Sequence, residues 1–333
     1  MLFVIFVFFT NVENVKSTVF SSLIFCGEKI IPSLFPFMVI FSFFLYLSVF
    51  VGSQRAKSNK LFQIFGICKK YFLHIVFGSL CGFVVGARMI SEDYDENRDS
   101  NASLNSSIAL SSNAGIGFVV GTVGMKLWGD FLFGIFLFFS QIILALIINK
   151  LLFNDVNFDT TSVKKERVPL FSAFIRSVTS SASTIINISA FVVFFSVLIS
   201  TISSFFNIKN RAFLFILLEF CQGSFYSVSM TNTLMCAFCT GFVVGFGGLC
   251  AHFQIFSVCE GLPLNRLKFT IFKFIQGMFC GIFSFLYVFI TKIEPIKASF
   301  LNVNGSYTHL IVIGILMLFF ALFNKKLSNT EKI

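Results

Sequence analysis

Glu219 stands inside the apolar run Phe213-Leu214-Phe215-Ile216-Leu217-Leu218-Glu219-Phe220-Cys221. An ionisable group at such a place costs about 2.5–3.5 kcal/mol on membrane-insertion scales, so it faces a cavity or a partner, where it can carry a proton. His252 and Gln254 follow Gly245-Phe246-Gly247-Gly248 and set donors and acceptors beside glycine backbone. Ser112 and Asn113 precede Gly115 and Gly117 in a similar way. Serine and asparagine there also suit the cap of a short helix, and histidine is often a structural residue. Exposed N–H and C=O groups at such glycines would bind a polar solute, with His252 and Gln254 orienting it and Glu219 coupling a proton. The chemistry expected is therefore binding and translocation. No phosphate loop, zinc-protease motif, nucleotide fingerprint or nucleophile elbow is present, so no enzyme is expected.

The elements that hold these residues are membrane helices. The chain has 333 residues, 56% hydrophobic and only 12% charged, with 52 phenylalanines and a mean hydropathy of +0.89. A soluble domain carries about 25% charged residues. The phenylalanines read as lipid-facing surface. Most of the nine cysteines lie in apolar runs, where a thiol behaves as a small hydrophobe. Cys236 and Cys239 have CxxC spacing but no second pair, so neither a metal nor a cofactor is expected. Residues 1–9 lack a basic flank and a cleavage site, and alone fall short of the ~20 residues a span needs.

The sequence Gly-Phe-Val-Val-Gly occurs three times, at Gly82 to Gly86, Gly117 to Gly121 and Gly241 to Gly245. Each glycine costs a continuous helix about 1 kcal/mol relative to alanine. Glycine earns a place where a helix breaks or backbones touch, and Gly82, Gly86, Gly121, Gly241 and Gly245 are read as helix-break positions.

Apolar segments run over 1–9, 17–31, 33–52, 71–90, 108–125, 129–149, 172–205, 212–230, 233–259, 269–291 and 306–324. Lys and Arg in short loops mark the cytoplasmic side. Arg55, Lys57, Lys60, Lys69 and Lys70 place 53–70 inside, whereas Glu92, Asp93, Asp95, Glu96 and Asp99 place the following loop outside. With 150–171 inside, one of 108–125 and 129–149 must be re-entrant, and the glycines choose 108–125. In the second half, Arg266, Lys268 and Lys273 read as inside, which makes 233–259 the second re-entrant segment. Lys325, Lys326 and Lys332 end inside, while Lys209 and Arg211 fall outside against the rule. Arg88 reads as snorkelling to the interface.

The fold class expected is an all-α polytopic membrane protein with two inverted repeats and glycine-rich re-entrant or broken helices. Gly117 and Gly241, 124 residues apart, set the register. The division expected is an N-terminal apolar segment and amphipathic helix (1–32), a first repeat (33–150), a cytoplasmic connection with an amphipathic helix (151–183), a second repeat (184–291), and a C-terminal membrane helix with a basic tail (292–333). The +10 charge is accounted for by loops facing anionic lipid, so no nucleic-acid partner is expected.

Six pieces, in order over about 17–290, carry a resemblance. They are Pro32-Ser33-Leu34-Phe35-Pro36-Phe37, Gly82 to Ala87, Ser112-Asn113-Ala114-Gly115, Phe194-Phe195-Ser196-Val197-Leu198, Glu219 to Gly223, and Gly245-Phe246-Gly247-Gly248-Leu249 through His252 and Gln254. Together they resemble the YlbJ family of sporulation integral membrane proteins, within the nucleoside-recognition or Gate-domain group. Where that family has Gly-Tyr-Pro this chain reads Gly82-Phe83-Val84. It has Ile116 in place of a proline, and Phe220-Cys221-Gln222-Gly223 in place of Ile-Thr-Asn-Gly. The resemblance implies a multi-pass protein of the bacterial cytoplasmic membrane, active in spore formation and transporter-like in architecture. Its expected partners are the lipid bilayer, a small polar solute, and a second copy or other sporulation membrane proteins. The alternative is a non-transporting scaffold for spore-envelope assembly, with glycines serving helix packing alone.

Overall fold

The computed structural model describes residues 12–47, 65–153, 169–206 and 211–296. The expected segment 1–9, the C-terminal helix 306–324 with its basic tail, Lys209, and most of the loops 53–70 and 150–171 lie outside the described residues.

Among the described residues every regular element is helical. α1 (Val12–Phe25) passes through a π-helical turn (Cys26–Ile30) into α2 (Ile31–Tyr46). Then come α3 (Phe72–Cys81), α4 (Phe83–Asp93), α5 (Asn101–Ser111), a π-helical stretch (Gly117–Leu127) and α6 (Phe131–Leu152). The second half holds α7 (Leu170–Phe205), α8 (Ala212–Leu218), α9 (Phe220–Ser227), α10 (Thr233–Phe246), α11 (Gly248–Val258) and α12 (Arg266–Thr291). Five stretches are long and apolar enough to cross a membrane: Val12–Phe44, Phe131–Leu152, Leu170–Phe205, Thr233–Val258 and Arg266–Thr291. They fit a multi-pass membrane protein. Their apolar side chains also point outward, with Phe131, Phe139, Ile143, Ile147 and Leu151 of α6 and Phe274, Phe285, Phe289 and Ile290 of α12 all exposed. The interior holds serines, threonines and amides among its apolar side chains, as expected where lipid rather than water is the solvent.

Side-chain oxygens start these helices. Ser100, Asp130, Asn232 and Asn265 each accept a backbone N–H of the first turn, supplying partners that lipid cannot.

The chain reverses at two points that hydropathy reads as spans. α3 and α4 lie against each other about Gly82: a side chain on Gly78 would strike the Gly86 Cα at 2.6 Å, and His74 Nε2 lies 2.9 Å from Asp93 Oδ2. α8 and α9 likewise fold together about Glu219, with Phe215 and Tyr226 rings stacked 4.4 Å apart and no room for a side chain at Gly223 beside the Phe215 carbonyl. The sequence reading took 71–90 and 212–230 as single spans. Twenty apolar residues make one span or two half-length helices, and only the backbone at the midpoint decides. At Gly82 φ is +121°, a conformation that side chains disfavour.

The continuous helices α7 and α12 serve as rulers. α12, about 39 Å long, carries Asn265 at its start, where Asn265 N donates to Asn105 Oδ1 at 2.7 Å and Asn105 Nδ2 donates to Pro263 O at 3.0 Å. Beyond its other end, Ile296 N donates to Leu127 O at 2.7 Å. The residues from Asn101 to Leu127 therefore run the length of the bundle. The base of the first hairpin, next in sequence to α5, sits at the Asn265 end. The second hairpin sits at the other: Ser227 Oγ is 2.7 Å from Thr240 Oγ1, which accepts from Trp128 Nε1 at 3.2 Å.

This corrects the expected sidedness. The acidic loop read as opposite to Lys70 is tied to it, since Asp99 Oδ2 accepts from Lys70 Nζ and from Tyr71 Oη. The lengthwise run is 101–127, not 71–90, and 233–258 also runs lengthwise rather than returning. Two expected boundaries also fall inside continuous helix. Residues 32/33 lie within α2 and 183/184 within α7, which at 36 residues spans about 54 Å.

Candidate functional site

The two hairpin tips meet at mid-length. The Phe83 and Phe220 rings are 5.0 Å apart, and Phe118 is 4.7 Å from Phe220. Each tip abuts a break in a lengthwise helix. The first break is the unwound stretch between Ser111 and Gly117, where a side chain on Gly115 would strike Cys81 O at 2.8 Å. The second is Gly247, in the left-handed region at φ +82°, followed by Gly248, whose missing side chain leaves room for the Phe220 and Glu219 amides.

Between tips and breaks lies a cavity of about 40 Å³, bordered by Gly82, Gly115, Glu219, Cys221, Cys250 and Gln254. That is room on the scale of one water. Glu219 is 1% exposed and caps α9: Oε1 accepts from Cys221 N at 2.8 Å and Oε2 from Gln222 N at 2.6 Å. No ion pair reaches it among the described residues. Its carboxylate is therefore held by a helix N-terminus, and the residue lines the cavity.

A second polar cluster supports the first break. Gln141 of α6 clamps Ala114 from both sides, Oε1 accepting its N–H at 3.1 Å and Nε2 donating to its carbonyl at 2.8 Å. Asn113 Oδ1 accepts from Gln276 Nε2 at 2.9 Å and from Lys273 Nζ at 3.3 Å, and Lys273 also donates to Gln276 Oε1 at 2.8 Å. Lys273 is 1% exposed, with amide oxygens and the Phe272 and Phe83 rings around it and no carboxylate paired with it among the described residues. Sequence reasoning counted Lys273 as a loop charge and overlooked Gln276 and Gln141. The legible signal was the three-residue spacing of Lys273 and Gln276, which puts both on one face of an apolar helix.

Of the predicted residues, the structure brings Gly82, Gly115, Glu219 and Gln254 around the cavity, with Gly248 behind the second tip and Asn113 in the adjoining cluster. Gly247 packs under the Phe83 ring. Ser112 donates to Ile108 O at 2.7 Å, a turn of its own helix. His252 is turned away, Nδ1 donating to Gly248 O at 2.7 Å with its ring against Phe246 and Phe269. Gly117 packs on Phe37 and Ser33, not on the cavity.

Four expected break positions are not breaks. Gly86 lies within α4, where Ser111 and Gly78 fill the space of a side chain. Gly241 and Gly245 lie within α10 against Cys280, Ser284 and Gly277, so they bring two helix backbones together. Gly121 sits within the π-helical stretch with open space beside it. Arg88 does not snorkel away: Nε donates to Glu92 Oε1 at 3.0 Å and Nη1 to Thr184 Oγ1 at 3.1 Å. No group of three or more metal-ligating side chains converges among the described residues.

No family model, curated protein or solved structure matches this chain.

Proposed function

We propose that this chain is a transporter-like protein of the bacterial cytoplasmic membrane that moves or senses a small polar solute between two inverted repeats. The observation that carries the reading is the meeting of two helical hairpins, from opposite ends of the bundle, at the breaks of two lengthwise helices around a buried carboxylate. Irregular backbone at such depth is tolerated where it lines a protected cavity, and such backbone binds solutes in transporters. The repeats are α2 through α6 and α7 through α12, each holding a long helix, a hairpin, a broken helix and a closing helix. Basic loops put the first hairpin's base on the cytoplasmic side.

In this reading Glu219 couples a proton, and Gln254 with the Gly82 and Gly115 backbone holds the solute. Movement of the second hairpin opens the cavity. The resemblance assigns the step to spore formation, with the lipid bilayer and other sporulation membrane proteins as partners. Flux through proteoliposomes is expected to lose its pH dependence in Glu219→Gln while insertion is unchanged. Retained pH dependence removes the coupling role.

The glycine seam of α10 on α12 favours a second reading, a packed scaffold. A scaffold predicts that Gln254→Ala leaves function intact while Gly245→Leu destroys it.

A further inference from the structure

A second, larger cavity of about 250 Å³ opens between α4, α7 and α11, with Arg88, Ser183, Asn187, Gln254 and Ser257 on its walls. Several of its polar groups are free of partners among the described residues. Several hydroxyls on α7 bond a carbonyl one turn back, as Thr184, Ser189, Ser196 and Ser203 do. By contrast the side chains of Ser183, Asn187 and Ser257 have no hydrogen-bond partner among the described residues, and Gln254 has only the Cys250 sulfur at 3.4 Å. Asn187 and Ser257 are exposed, although Asn187 lies on a membrane helix. Val84, Ile188, Phe191 and Val258 complete the walls.

Arg88 is the one charge on that lining. Its Nε is engaged by Glu92 and its Nη1 by Thr184 and the Ser180 carbonyl, leaving Nη2 to be met. Asn187 lies 18 residues before the end of α7, about 27 Å along the axis, close to the ~30 Å of bilayer hydrocarbon. With the end of α7 at one edge of the hydrocarbon, the cavity mouth falls near the other edge, on the first hairpin's side.

We propose that this cavity is a binding site for an anionic phosphate group, gripped by Arg88 and hydrogen-bonded by Asn187, Ser183 and Ser257, with an apolar portion of the ligand along Ile188 and Phe191. A lipid headgroup and a soluble phosphate ester share this chemistry. The site does not depend on the transport reading, because binding is measured without flux.

The test uses the purified full chain in detergent. Native mass spectrometry measures retention of phosphatidylglycerol against phosphatidylcholine, and thermal shift measures binding of glycerol 3-phosphate and of inorganic phosphate. Retention of phosphatidylglycerol alone identifies lipid as the source, and a shift with glycerol 3-phosphate identifies a soluble ester. In either case Arg88→Gln and Asn187→Leu each weaken binding by roughly tenfold, the scale of one charge-assisted hydrogen bond, and Glu92→Gln strengthens it. Asn187→Leu removes no bond within the protein, so it separates binding from folding. Binding that is equal in wild type and Asn187→Leu, or no binding of any probe to wild type, overturns the proposal.

Discussion

The two hairpins share a plan and differ in where they keep their charge. The first turns on a glycine, Gly82, and keeps its ions at its base, where Asp99 accepts from Lys70, Tyr71 and the Asp95 amide, and His74 meets Asp93. The second turns on Glu219 and has aromatic stacking of Phe215 on Tyr226 at its base. A base tied by buried ions resists sliding, because partial opening leaves a charge unpaired in low dielectric. Stacked rings slide at a cost of about 1 kcal/mol. The break behind the first tip is likewise held by Gln141, Gln276 and Lys273, whereas the one behind the second is a left-handed glycine. The difference teaches which half is anchored and which is free to move.

Asp99→Ala gives the largest effect expected. It leaves the Lys70 ammonium with only the Asp93 carbonyl and the Tyr71 hydroxyl with no acceptor, and thermal unfolding in detergent is expected to show a loss of about 3 kcal/mol. The matching change in the second hairpin, Tyr226→Phe, keeps the stack and costs under about 1 kcal/mol. Equal losses would erase the contrast.

Gly82→Val comes next. Its φ of +121° strains any side chain, so a loss of about 1–3 kcal/mol is expected in the same assay.

Glu219→Gln keeps an acceptor for the α9 amides and costs about 1 kcal/mol or less in stability, while flux loses its pH dependence. Lys273→Met is smaller still. Replacing a buried amine with an apolar chain of similar length removes a buried charge but leaves Gln276 Oε1 without its donor, so the two effects offset to within about 1 kcal/mol while Asn113 and Gln276 still pair. A fall of more than about 2 kcal/mol would instead make Lys273 a structural pin.

Alkali sharpens the contrast least. Burial and then the Asp99 carboxylate push the Tyr71 phenol well above its usual range. The bond it makes is fully present below the ordinary phenol pKa of about 10 and is lost only when pH rises past the raised value. Tyrosinate absorbance followed from neutral to alkaline pH is expected to show one phenol that ionises only on unfolding.

Composition alone made this an α-helical membrane protein, and the carboxyl in an apolar run marked Glu219, because burying a charge is costly at any depth. The breaks near Gly115 and Gly247 fall in stretches that read as solute-binding, and of the glycines that read as breaks only Gly82 ends a helix. The hairpins were not. Hydropathy measures how many apolar residues occur in a row, and 72–93 is as apolar folded double as it is straight. The role of Gly86, Gly241 and Gly245 was hidden because a glycine that lets helices touch has the same letter as one that ends a helix. Lys273 was read by proximity to Arg266 and Lys268, yet one more turn of α12 carries it inside.

Single-cysteine labelling across the membrane, in a background without the nine native cysteines, tests the hairpins most directly. Reporters at Lys69 and Asn97 flank the first hairpin, and reporters at Arg211 and Ser229 flank the second. The account predicts that an impermeant thiol reagent reaches the first pair from one side and the second pair from the other. A split within either pair would mean that the hairpin is a span, and the tips could not meet at a central site.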